Sequence, residues 1–204
     1  MRSFPVMLLF AFALALLLAG CQCPQAAPPA AAWLPAGIQR AGFDIDDTLL
    51  FSTPAFDAAR AKFAFGTDQF WAEVNGHDRD YSIVKRKALE VVRALQTQGV
   101  TVYAITARPP TNGEPVGSFL AEAMGIPAAN VYFEPRGKVQ RIRDLRLDVF
   151  YGDSDSDIED ARAAGVLAIR FQRSPDSSYR NSDGTLAKYH PGQFGEPIVP
   201  DSED

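Results

Sequence analysis

Cysteine and histidine are almost missing from this sequence, with two of each in 204 residues. The cysteines stand together at Cys21 and Cys23, so the chain beyond them can form no internal disulfide and must rely on its core. His77 and His190 are isolated, which leaves no clustered nitrogen or sulfur donors for a zinc site. A basic surplus is also lacking. Lys and Arg total 20 against 25 Asp and Glu, a net charge of −5, and this carries no electrostatic footprint for a nucleic-acid polymer. Small phosphorylated compounds remain compatible, since they need only a few local positive groups. With 47% hydrophobic residues, the chain can bury the core of one domain.

Long apolar runs are confined to the N-terminus. Arg2 precedes an apolar stretch from Phe4 to Ala19, broken only by Pro5, with the n-region and h-region of an export signal. The run is short for a membrane span, which takes roughly 18 or more residues. It ends in Leu18-Ala19-Gly20-Cys21, which resembles the lipobox of bacterial lipoproteins. The expected organisation is a signal over 1–20, a lipid on Cys21, a Pro/Ala-rich tether over 21–36 and a domain over 37–204. Gln22, in place of an Asp, favours an outer-membrane anchor facing the periplasm. Trp33 and Leu34 could belong to the tether or dock on the domain.

From residue 38 short apolar strands alternate with amphipathic helices. Strands are expected at 41–45, 100–105, 131–133, 148–151 and 167–171. Helices are expected near 84–95, 116–124, 138–145 and 158–164. This alternation predicts an α/β fold, a Rossmann-like parallel sheet with helices on both faces. The insert at about 51–80 carries Phe51, Phe56, Phe63, Phe65, Phe70 and Trp71, and reads as a small helical, aromatic-rich cap after the first strand. Its aromatics can pack a satellite core, face a ligand, or do both.

Ligands of such sheets bind beyond the carboxyl ends of the strands. Asp44, Thr106 and Asp153 all fall there. In Asp44-Ile45-Asp46-Asp47-Thr48, alternation puts Asp44 and Asp46 on one side, where two carboxylates do not easily both ionise. A divalent cation would hold Asp44 as an anion and nucleophile, leaving Asp46 to carry a proton. Tyr151-Gly152-Asp153-Ser154-Asp155-Ser156-Asp157 adds acids at a strand end and helix start. It is not a calcium loop, because Ile158 stands where Gly is needed and Ala164 where Glu is. Oxygen donors without histidine suit Mg²⁺. Thr106, Arg108 and Lys138 can supply donors to phosphate on the same edge.

The order of these motifs resembles the haloacid-dehalogenase superfamily of phosphotransferases. FDIDDTLLFSTPAF, ITAR and YGDSDSDI are similar to the class B bacterial nonspecific acid phosphatases, over Phe43 to Phe194-Gly195-Glu196. The resemblance implies an acid phosphatase acting on small phosphomonoesters such as nucleotides and aryl phosphates. Asp44 would form an aspartyl-phosphate and ligate Mg²⁺. Asp46 would act as acid and base and offer its backbone carbonyl to the metal. Thr106 and Lys138, with Arg108 beside them, would bind phosphoryl oxygens. Asp153 would ligate the metal directly and Asp157 through water. Phe56, Trp71 and Tyr179 match an aromatic substrate pocket.

The chain departs from that family in its short Pro/Ala segment, where class B enzymes carry a longer one that contributes to a tetramer. A homo-oligomer is thus an open expectation. A lipobox is more typical of class C enzymes. Transfer of the phosphoryl group to an alcohol or nucleoside would use the same residues, and a lipoprotein that binds without turnover is the remaining alternative.

Overall fold

A computed structural model describes residues 33–201; the expected signal, Cys21 and residues 21–32 of the expected tether lie outside them. Its centre is a six-stranded sheet in which every neighbouring pair is parallel, in the order β5-β4-β1-β6-β7-β8. The strands are β1 (Arg40–Phe43), β4 (Thr101–Thr106), β5 (Val131–Phe133), β6 (Val149–Gly152), β7 (Leu167–Phe171) and β8 (Ile198–Val199). A separate antiparallel pair, β2 (Leu50–Phe51) and β3 (Ile83–Val84), closes the base of the insert. The helices are α1 (Thr53–Arg60), α2 (Asp68–Tyr81), α3 (Arg86–Thr97), α4 (Glu114–Met124), α5 (Val139–Asp144) and α6 (Asp155–Ala164).

Period-two alternation along β1 sends Ala41 and Phe43 to one face of the sheet, where Val91, Val92 and Leu95 of α3 and Val116 and Leu120 of α4 cover them. The other face is closed by Ile142 of α5 and Ile158 and Ala161 of α6, with Leu147 and Phe150. Gly42 lies on that second face because nothing larger fits. A Cβ there would stand 2.4 Å from Leu147 Cδ1 and 2.8 Å from Phe150 Cδ2. Trp33 and Leu34 pack on the α3/α4 side, and the Trp33 carbonyl accepts the Tyr151 hydroxyl at 2.7 Å.

Two local expectations shift. Val84 belongs to β3 rather than to the following helix, which starts at Arg86 after Lys85 turns inward. The first strand ends at Phe43, so Asp44 to Asp47 leave the sheet as a bend and turn. The insert forms α1 and α2, whose Ala55, Ala59, Phe70 and Val74 make a core of their own, with Phe56, Phe63 and Trp71 against it. Chain order reverses at β1, with β4 and β5 on one side and β6 to β8 on the other. The crevice at such a switch point is where open α/β sheets bind ligands.

Candidate active site

A cavity of about 390 Å³ opens beyond the carboxyl ends of β1 and β6. Asp44, Asp46, Arg108, Lys138, Asp153 and Asp157 line it from below, and Phe56, Trp71 and Tyr179 from the cap and the C-terminal segment. The structure therefore brings these sequence-predicted residues to one place. Thr106 is one step back, fully buried, its hydroxyl 3.5 Å from Asp46 Oδ2 and accepting the Arg108 N–H at 3.1 Å.

The two acids of the first motif do not share one environment. Ile45 between them is buried in the core, which throws both side chains to the cavity side. The Lys138 ammonium then donates to Asp44 and, at 2.6 Å, to Asp157 Oδ1. Asp46 instead meets the Arg108 guanidinium, which donates from Nε at 2.9 Å and from Nη2 at 2.6 Å. Burial pushes the Asp44 carboxyl up; Lys138 opposes this, but Asp157, Asp153 and Asp46 add to it and the group stays well above its usual range. Burial pushes Asp46 up too, yet the charge and hydrogen bonds of Arg108 outweigh it and hold Asp46 below its usual value.

Arg108 is committed to protein carboxylates although it borders the cavity. Besides Asp46 it donates to Asp78 and, at 3.1 Å, to Asn75 Oδ1. Asn75 and Asp78 flank a break in α2 at His77 (φ −126°, ψ 16°). Arg108 thereby ties the cap helix to Asp46 while still bordering the cavity in which a phosphate contact is expected.

Asp153 directly follows β6 and Asp157 lies in the first turn of α6, where it makes a capping box with Ser154. Gly152 is required by that arrangement: a Cβ there would sit 2.3 Å from the Asp157 Cβ. One oxygen from each of Asp44, Asp153 and Asp157 lies within 4.8 Å of the others. Burial raises Asp153 as well; Arg173 opposes this and Asp157 reinforces it. Close, buried, hard oxygen donors whose ionised forms are held at a cost are a set that a small divalent cation would relieve, so the residues fit Mg²⁺. Asp155, between them, faces away to Arg170 and His190.

Several site residues escaped the sequence reading. Arg173 donates to Asp153 and stacks near Tyr179 and Tyr189, at 5.2 and 5.0 Å from their ring centres. Its position two residues beyond β7 was a usable signal, since the same strand-end rule located Asp44 and Asp153. Asp47, with φ 54°, accepts the Ser177 hydroxyl at 2.6 Å through Oδ2, while its Oδ1 is buried without a partner. Buried Lys85 donates to the Asp47 and Gln172 carbonyls, both at 3.0 Å. No local pattern marks that lysine.

The C-terminal segment is fastened by one buried guanidinium. Arg170 of β7 donates to Glu196 at 2.5 Å, to the Asp153 carbonyl at 2.6 Å and to Asp155 at 3.0 Å. Glu196 in turn accepts the Gly192 and Phe194 N–H groups. The stretch between, 172–195, carries Arg173, Ser177 and Tyr179 to the cavity.

Comparison with known proteins gives a consistent picture. The chain is 36% identical over 176 residues to a class B acid phosphatase from Morganella morganii, covering 79% of this chain and 72% of that protein. It is 35% identical, with the same coverage, to the class B acid phosphatase of Salmonella typhimurium, and 36% to that of Proteus mirabilis. No family model matches. Among solved structures, CbbY from Rhodobacter sphaeroides in complex with phosphate aligns at a TM-score of 0.54 and 13% identity, over 79% of this chain and 93% of that one. A phosphoglycolate phosphatase assigned by prediction, from Haemophilus somnus, aligns at 0.53 and 16%, over 80% and 94%. At those identities the two structures bear on the fold alone.

Proposed function

This chain belongs to the class B acid phosphatase family of the haloacid-dehalogenase superfamily and is a phosphomonoesterase, and from that premise we propose how its residues divide the reaction. Asp44 attacks the phosphorus of a small phosphomonoester and becomes an aspartyl-phosphate, which water then hydrolyses. The observation that carries this reading is the single ammonium of Lys138 placed between Asp44 and Asp157. It neutralises charge where a phosphoryl group would meet the nucleophile.

Asp46 is the proton carrier. Arg108 keeps it ionised in the free protein. A phosphate dianion arriving beside it raises its proton affinity through like-charge repulsion, so Asp46 takes up a proton from solvent water and passes it to the leaving alkoxide. In the second half-reaction the ionised Asp46 accepts a proton from the attacking water. Thr106 supports Asp46 from behind, and a phosphoryl oxygen would be a further partner for its hydroxyl.

Asp44, Asp153, Asp157 and the Asp46 carbonyl would hold Mg²⁺, which supplies charge neutralisation at the phosphoryl oxygens. Phe56, Trp71 and Tyr179 form the wall against which an aryl or nucleoside leaving group packs. The apolar run before Cys21 supports export, with a lipid on that cysteine and residence at the outer membrane facing the periplasm.

The test is phosphate release from phenyl phosphate and from nucleoside monophosphates, with Mg²⁺ and with chelator. Asp44→Asn should lower turnover by about a thousandfold or more; turnover at the wild-type rate would remove Asp44 from the nucleophile's role.

A further inference from the structure

The cations of the cavity are already spoken for, with one exception. Lys138 is bonded to Asp44 and Asp157, Arg108 to Asp46 and Asp78, Arg173 to Asp153, and Arg60 to Asp57. Lys188 also lines the cavity, is exposed, and among the described residues has no carboxylate partner. Asp155, whose N–H meets the Lys188 carbonyl, has its carboxylate already engaged by Arg170 and His190.

The backbone that presents Lys188 is held firmly. The Ala187 N–H donates to the Tyr179 carbonyl at 2.9 Å, and the Ala187 carbonyl accepts Arg173 Nη1 at 2.7 Å. The Lys188 carbonyl accepts the Asp155 N–H at 2.9 Å, and the Tyr189 hydroxyl accepts the Arg173 N–H at 2.9 Å. Within this frame Lys188 itself has φ 48°, a left-handed conformation that a non-glycine residue adopts at a cost. Glycine would fill such a position without strain. A lysine fixed there, with a free ammonium on the wall of an acidic protein's cavity, is arranged to meet an anion.

The cap's share of the lining differs in kind, because Phe56, Phe65 and Trp71 make it apolar. A leaving group in this cavity can meet both aromatic faces and a cation. We propose that Lys188 is a specificity-determining residue that takes a second anionic group on the leaving group, so that phosphomonoesters bearing a further carboxylate or phosphate are preferred to those with a neutral leaving group. This rests on the phosphatase reading of the same cavity.

The experiment compares kcat/KM for phenyl phosphate and its para-carboxylate in the full chain with Mg²⁺. The readout is the ratio of the two values in wild type, Lys188→Met, Lys188→Glu and Lys188→Arg. The ratio should fall about fivefold in Lys188→Met, as expected for one partly exposed ion pair, through KM rather than kcat. It should fall further in Lys188→Glu and return in Lys188→Arg. A ratio that stays constant across the four proteins overturns the subsite while leaving the phosphatase intact. Failure of the wild type to release phosphate from either compound overturns both readings.

Discussion

Arg173 donates from Nε to Asp153 Oδ2 at 2.5 Å, and its Nη2 makes an ion-pair contact with the same oxygen at 2.5 Å. Thr48 occupies the other oxygen at 3.2 Å, so the carboxylate is gripped from both ends. Removing Arg173 has opposing effects: an uncompensated Asp153 attracts a cation better, but one held by Thr48 alone presents its oxygen less firmly. Mg²⁺ demands near-ideal octahedral geometry, so orientation dominates. Arg173→Met should weaken Mg²⁺ binding by about tenfold or more, measured by titration calorimetry without substrate. Arg173→Lys restores the charge but not the fork and should recover only part. Equal affinities in wild type and Arg173→Met would reduce Arg173 to packing.

Lys138 is 4% exposed and compensates two buried acids. Burial alone would lower its proton affinity, but Asp157 and Asp44 more than reverse this and raise it. Lys138→Met leaves the carboxylates facing one another and should cost about 3–5 kcal/mol, the range for breaking one side of a buried ion pair. Denaturant unfolding of the metal-free protein measures it. Adding Asp157→Asn should return part of the loss, because one uncompensated charge goes with it. An additive double mutant would show that the two side chains do not interact.

The metal-free protein should be more stable in mild acid than at neutrality. Burial, with the neighbouring Asp153 charge, raises Asp47 from 3.8 to about 7, against smaller opposing effects of Ser177 and Arg173. Asp44 and Asp153 are raised as well. Between pH 4 and 7 the folded chain therefore holds protons that the unfolded chain has released, and folding gains as pH falls through that window. Asp46, which is lowered, works against this only below 3.8. Thermal melting with chelator should give a higher Tm at pH 5 than at pH 7.5, and Asp47→Asn should narrow the gap. A Tm that falls over this range would contradict the buried-acid account.

The strand-end acids were legible in the sequence because they depend on local order. β1 must be short and apolar, so the residue that follows it is where the chain meets solvent, and the same holds for β6 and Asp153. The 3.6-residue spacing of Ala88, Val91, Val92 and Leu95 likewise located α3. The partners of these acids were not legible. Arg108 reaches Asp78 across 30 residues and Arg173 reaches Asp153 across 20, and no periodicity links such pairs. Nor could the motif say that Asp44 and Asp46 each have a separate cation, since that depends on how α2 folds over Arg108. The two-residue strands β2, β3 and β8 are too short to carry a pattern of their own.

Arg170 and Glu196 fasten the last stretch of chain onto the sheet, and that stretch carries Arg173, Ser177 and Tyr179 to the cavity. Without Glu196 the chain would keep Asp44, Lys138, Asp153 and Asp157, yet lack the lock that holds Arg173 and Tyr179 at the cavity. One ion pair that touches no substrate therefore sets the shape of the cavity's rim, and loosening it would be felt at Asp153 through both the Arg170 bond to its carbonyl and the Arg173 bond to its carboxylate.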